Sequence, residues 1–176
     1  MKSLFLILAV FLTYQAVGQV YVSQTASGSN NGTSWANAYN NLQDAINTSQ
    51  GNGDIWIKAG TYIPDRDTLG NFTPTDPRTK SFTMVYNQRI YGGFNGTETL
   101  LSERDPIVNP VIFSGEIGNT SDSLDNCYTV FSSNFIAGTG SARLLDGISF
   151  TNCYSVDFGT FAGAITIGNV GLAINN

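Results

Sequence analysis

The feature that most constrains this chain is a short apolar stretch that breaks at glycine and then recurs. RIYGGFNG runs from Arg89, and VIFSGEIG runs from Val111. With Ile90 set on Ile112, Tyr91 falls on Phe113, Gly93 on Gly115 and Gly96 on Gly118, an offset of 22 residues. A second pair, Gly147–Asn152 and Gly171–Asn176, aligns at an offset of 24. Each copy reads as one strand with turn residues beside it. Repeats of twenty-odd residues signal a solenoid, whose coils stack and bury one continuous core. The register this predicts puts Ile90 on Ile112 and Phe150 on Ile174, all four inward. The competing reading is resemblance between short glycine-flanked strands, a common pattern in any β-protein.

Composition agrees with many short strands. Charged residues make up 12% of the 176 residues, about half the usual share. The 19 glycines, with abundant Asn, Ser and Thr, supply turns and argue against a helical bundle. The length fits one domain with a core of its own. A net charge of −5 argues against nucleic acid as a partner. The chain has no histidine, which removes Ser-His-Asp and Cys-His catalysis and any His-ligated metal. Cys127 and Cys153 lie 26 residues apart, close to one repeat. Neighbouring coils sit about 4.8 Å apart, within disulfide reach. A disulfide and two free thiols are both open.

Residues 1–18 read as a secretory signal peptide. Lys2 precedes the uncharged run Leu4–Leu12, and Ala16-Val17-Gly18 offers the small residues of a cleavage site before Gln19. The run is too short to span a bilayer, and no later segment is long and apolar enough. Residues 19–53 then hold a strand at Val20–Val22, a Gly/Ser/Asn loop and a helix. Asn40 is placed to cap that helix, with Gln43 three residues on. Leu42, Ala45 and Ile46 form its apolar stripe, with Trp35 and Tyr39 at its entrance. Residues 54–176 form the coils. Asp54–Tyr62 is a strand bent at Ala59-Gly60. Residues 64–80 are a polar excursion, the kind of insertion a solenoid tolerates. Strands follow at Phe82–Tyr86, Arg89–Phe94, Val111–Ser114, Tyr128–Ser132, Ala142–Leu145, Ile148–Phe150, Ala164–Ile167 and Leu172–Ile174. The last of these lies mid-coil with no cap after it, so a continuation of the chain, or self-association through an open final coil, is expected.

The order TSWANAYNNLQDAI, IWIKAGTYIP, RTKSFTMVYNQRIYGGFNGTET, LLSERDP and NPVIFSGEI resembles the N-terminal region of secreted right-handed parallel β-helix proteins with a pectin-lyase-like fold, of Bacteroidetes type. The resemblance covers about Val20–Phe131. Its most specific part is Tyr91-Gly92-Gly93-Phe94 with Gly96-Thr97-Glu98 and Glu103-Arg104-Asp105. Phe150-Thr151-Asn152 and Gly163-Ala164-Ile165 are similar to the FxxN and GGAI repeats of polymorphic outer-membrane proteins. They depart from that pattern at Ala162 and in the Phe-to-Asn spacing. The resemblance implies an all-β fold, a right-handed parallel β-helix with a capping helix at its N-terminal end. It also implies secretion and display at the cell surface, associated with the outer membrane.

Such folds host polysaccharide lyases, hydrolases and adhesins alike. A lyase needs carboxylates for Ca²⁺ and a Lys or Arg base, and a hydrolase needs carboxylates converging in one groove. Asp65, Asp67 and Asp76 lie beside Arg66, Arg78 and Lys80, but on the excursion rather than on stacked strands. A solvated charged loop is the plainer reading. Glu103-Arg104-Asp105 reads as a salt bridge or turn at a coil corner. Asp122 and Asp125 with Asn119 and Asn126 offer oxygens for Ca²⁺, without the spacing of a DxDxDG-type loop. Trp56, Tyr62 and Tyr91 offer ring faces for sugars if exposed; packing is the commoner fate of such rings. The expectation is therefore a binding or adhesive scaffold for a polysaccharide or cell-surface glycan, with no catalytic residue in this chain. The alternatives are the N-terminal part of a polysaccharide lyase or glycoside hydrolase, and a purely structural passenger.

Overall fold

The computed structural model describes residues 18–49, 53–84, 88–133 and 143–154, together with the backbone of 165–167 and 172–175. Of the expected signal peptide, residues 1–17 lie outside this set, as do Ala162, Gly163 and Ala164.

Among the described residues eleven strands and one α-helix follow in order. They are β1 (Val20–Val22), α1 (Leu42–Ser49), β2 (Asp54–Lys58), β3 (Gly60–Tyr62), β4 (Phe82–Met84), β5 (Arg89–Phe94), β6 (Val111–Ser114), β7 (Phe131–Ser133), β8 (Arg143–Asp146), β9 (Ile148–Thr151), β10 (Ile165–Ile167) and β11 (Leu172–Asn175). Every pairing between these strands is parallel. The first sheet is β1-β2-β5-β8-β11, the second β3-β6-β9 and the third β4-β7-β10. From β2 onward the chain visits the first, second and third sheets in turn, three times over, before β11 returns to the first. This is the arrangement of a β-helix-like solenoid, with α1 near its N-terminal end.

The core is a set of in-register ladders. Val20, Ile55, Ile90, Leu145 and Ile174 are successive partners along the first sheet. Gly60, Val111 and Ile148, then Tyr62, Phe113 and Phe150, are partners in the second. Phe82, Phe131 and Ile165 are partners in the third. Ile55, Ile90, Leu145, Phe113 and Phe131 are wholly buried. Phe113 lies at the centre, with its ring 5.1–6.4 Å from those of Tyr62, Phe82, Phe131 and Phe150.

These ladders correct the register expected from the repeats. Ile90 and Ile112 belong to different sheets, and Ile112 stands on the outer face between Thr61 and Ser149. Phe150 pairs with Phe113, and Ile174 with Leu145. Partners along the first sheet are 35, 35, 55 and 29 residues apart. The loops at the corners differ in length from coil to coil. The motif pairs resemble each other because each is a strand running into a glycine corner, not because they stack.

Helix α1 starts one residue later than expected. Asn41, not Asn40, caps it: its Oδ1 accepts from Asp44 N at 3.1 Å. Asn40 instead donates to the carbonyls of Ser23 and Ala26. Leu42, Ala45 and Ile46 are buried against the core as expected.

Candidate functional site

The outer face of the first sheet carries Tyr21, Trp56 and Tyr91 in register. Alternation would turn Phe94 inward, away from them. It does not, because β5 bulges: Trp56 pairs with Tyr91 and Lys58 with Phe94. Two glycines, Gly92 and Gly93, thus stand against one residue of β2, and the extra residue inverts the side-chain parity. Phe94 swings outward and stacks on Trp56 at 4.6 Å and 12°. Gly93 has φ +101, and a Cβ there would lie 2.8 Å from Pro106 N. Only glycine suits this corner.

The aromatic face is then covered. Trp35 packs 5.5 Å from Phe94 and 4.7 Å from Tyr21, and donates its indole N–H to Glu98 O at 2.9 Å. It therefore sits over this cluster rather than at the entrance to α1. Leu101 and Leu144 complete the cover. Trp56 is 2% exposed and Tyr91 6%. Tyr62 is 2% exposed, points into the core, and donates its hydroxyl to Lys58 O. None of the three presents a free ring face, so sugar stacking on them is not what this geometry offers.

The corner after β5 explains the specific part of the motif. The Glu98 carboxylate accepts from the backbone N–H groups of Asn95, Gly96 and Thr97 at 2.6–3.0 Å. Burial pushes its pKa up, but these donors outweigh burial and hold it below the ordinary value. Glu103 caps the next turn, accepting from Thr99 N and Leu100 N. Arg104 donates to Gly92 O and pairs with Asp146 of β8 at 2.6 Å. Asp105 accepts from Ile107 N and Val108 N. Glu103-Arg104-Asp105 is thus a brace between coils. On its outside the loop exposes Leu100, Ile107 and Val108, the last two at 92% and 71%.

Five charged residues of 64–80, Asp65, Arg66, Asp67, Asp76 and Arg78, are similarly occupied. Arg66 bridges Asp65 and Asp44, both at 2.8 Å. Burial raises the Asp65 pKa, yet Arg66 and Asn41 bring it below the usual carboxylate value. Asp67 closes a turn onto Leu69 and Asn71. Asp76 caps a short 3₁₀ turn at Pro77–Thr79 and accepts from the Tyr128 hydroxyl. Arg78 lies over the Tyr128 ring at 4.1 Å and donates to the carbonyls of Asn126 and Tyr154. Sequence reasoning missed these strand-end partners, which come from distant coils.

Of the oxygens offered for Ca²⁺, two are turn caps: Asn119 Oδ1 accepts from Ser121 N, and Asp122 Oδ1 from Leu124 N. Among the described residues no three His, Cys, Asp or Glu side chains cluster as a metal site. Cys127 and Cys153 are free thiols; Cys127 is buried and Cys153 half-buried. Their segments run side by side, with Tyr154 N donating to Cys127 O at 3.0 Å. Burial pushes the Cys127 thiol pKa up to about 12.

The second sheet is different. Its outward residues Thr61, Ile112 and Ser149 form a ladder across three coils. Thr61 and Ser149 are exposed and Ile112 half-buried, with Ile63 exposed beyond β3. This is an in-register face of three parallel strands. Among the described residues no helix is long and apolar enough to cross a membrane. Comparison of the chain with protein-family models, with curated proteins and with solved structures finds no match in any of the three.

Proposed function

We propose that this chain is a right-handed β-helix of the pectin-lyase-like kind, exported and displayed at the cell surface as a binding or adhesive scaffold. The observation that carries the reading is the open outer face of the second sheet, where Thr61, Ile112 and Ser149 stand in register. Parallel strands repeat at about 4.8 Å, so this face presents hydroxyls and one apolar side chain at fixed intervals. Such a surface suits an extended polymer, and the partner under this reading is a polysaccharide or cell-surface glycan. The side chains of Asp65, Arg66, Asp67, Asp76 and Arg78, and those of the β5–β6 corner, support a scaffold, because they hold turns or neighbouring elements. In an oxidising compartment the two thiols, Cys127 and Cys153, join as a disulfide and give up two hydrogens to the oxidant there.

The test is a glycan-array screen of the exported chain, paired with an absorbance assay for unsaturated uronides on the same polysaccharides. Binding that is lost in T61R/S149R, without product formation, is the expected result. Product formation abolished in R104A or D105A would favour the enzyme instead.

A further inference from the structure

The turn between β6 and β7 holds three buried side-chain oxygens with no hydrogen-bond partner: Glu116 Oε1, Asp125 Oδ1 and Asn126 Oδ1. Buried oxygens in folded proteins are nearly always paired, so each of these three, all carried by one short turn, calls for a partner. The turn is closed at its base where Cys127 N donates to Gly115 O at 2.9 Å. Glu116 and Asn126 therefore flank the same hydrogen bond. Asp125 folds back across the turn: its Oδ2 accepts from Asn119 N at 2.7 Å. A Cβ on Gly118 would lie 2.3 Å from that oxygen and 3.3 Å from Oδ1. Only glycine leaves room for the carboxylate there. Asn126 is 4% exposed, so its amide oxygen has little access to solvent.

The donor set is two carboxylates and one amide, all hard oxygens, with no nitrogen or sulfur. That chemistry fits an alkaline-earth dication, and Ca²⁺, which accepts flexible oxygen geometry where Mg²⁺ demands a near-ideal octahedron, is the more tolerant of the two. The backbone carbonyls of Gly115, Asn119 and Ser123 already accept hydrogen bonds within the turn. Arg78 occupies the carbonyl of Asn126. Water must supply the remaining ligands. We infer that the Gly115–Cys127 turn binds one calcium ion through Glu116, Asp125 and Asn126. The ion pairs the orphaned oxygens and fixes the corner from which β7 departs. The inference is independent of what the second sheet binds.

The experiment is calcium titration of the chelator-treated chain by calorimetry, with thermal unfolding measured alongside. Expected is one site per chain, half-saturated at about 10⁻⁴–10⁻³ M as in extracellular modules, and a higher Tm with Ca²⁺ than with equal Mg²⁺. E116Q should weaken binding about tenfold. N126D adds a third carboxylate in the same shape and should tighten it. Absence of heat and of any Tm shift at the top of that range would overturn the proposal. So would wild-type affinity in the folded E116Q/D125N variant, or an N126D variant that binds no better.

Discussion

The side-chain amide of Gln43 stands in for a β-strand against Thr83. Its Oε1 accepts from Thr83 N at 2.7 Å, and its Nε2 donates to Thr83 O at 2.9 Å. β4 is the first strand of the third sheet, so these two groups have no strand to meet on that side. Gln43 is 3% exposed and Thr83 7%, so water does not replace the bonds. Removing the amide in Q43A leaves two buried groups unpaired, at about 1–3 kcal/mol each. We expect a loss of at least about 2 kcal/mol in urea unfolding. Q43A unfolding at the wild-type midpoint would contradict this role.

The in-register ladders make opposite demands on adjacent residues of β6. F113A empties the centre of the core and should cost about 3–5 kcal/mol. I112D places a charge on the outer face and should cost about 1 kcal/mol or less. Comparison of the two midpoints reads the register directly. Equal losses would mean that Ile112 points inward after all.

Glu98 links the corner after β5 to pH. Its folded pKa lies below the ordinary 4.5, because three backbone N–H groups prefer the carboxylate to the acid. A depressed pKa contributes stability that is present above the unfolded value and lost as pH falls through the folded one. Wild type should therefore exceed E98Q in stability at neutral pH. The gap should narrow as acid carries the pH below 4.5. Denaturation of both proteins across that range checks the slope; a gap that stays constant would show that the carboxylate's charge is irrelevant.

Cys127 gives the opposite sign at alkaline pH. Its folded pKa is raised from 9.0 to about 12, so the neutral thiol is what the fold accommodates. That contribution is complete below pH 9 and lost as pH rises toward about 12. At pH 8 in the reduced chain, alkylation should modify Cys153 well before Cys127. If the exported chain carries the disulfide, its mass is two hydrogens lower and neither residue reacts until reductant is added. Rapid modification of Cys127 in the folded, reduced protein would contradict its burial.

Much of the strand pattern was legible from local chemistry. Arg89–Phe94 and Val111–Ser114 form strands with the expected bounds, since apolar runs ended by glycine signal strands without reference to anything distant. Glu103-Arg104-Asp105 also reads correctly as a corner device. The stacking register did not follow, because it depends on how much chain each corner loop consumes, and local similarity does not encode that. The burial of Trp56 and Tyr91 was hidden for a related reason. It needs the bulge at Gly92-Gly93 and a cover, Trp35, from more than fifty residues away. Glu116 escaped notice because it sits beside Asn126 only through the Gly115–Cys127 hydrogen bond.

Gln43 is not alone at its end of the molecule. Gln24 donates its side-chain N–H to Thr61 O of β3. The outer edge of β1 is bonded by Gly32 O and by both backbone groups of Tyr39. The leading edge of all three sheets is thus occupied by groups that offer no further row of donors and acceptors. Another chain arriving there finds nothing to template on. Fibre growth by strand addition therefore has no template at this end, and head-to-tail stacking, which would need this edge to pair with the next molecule, is disfavoured.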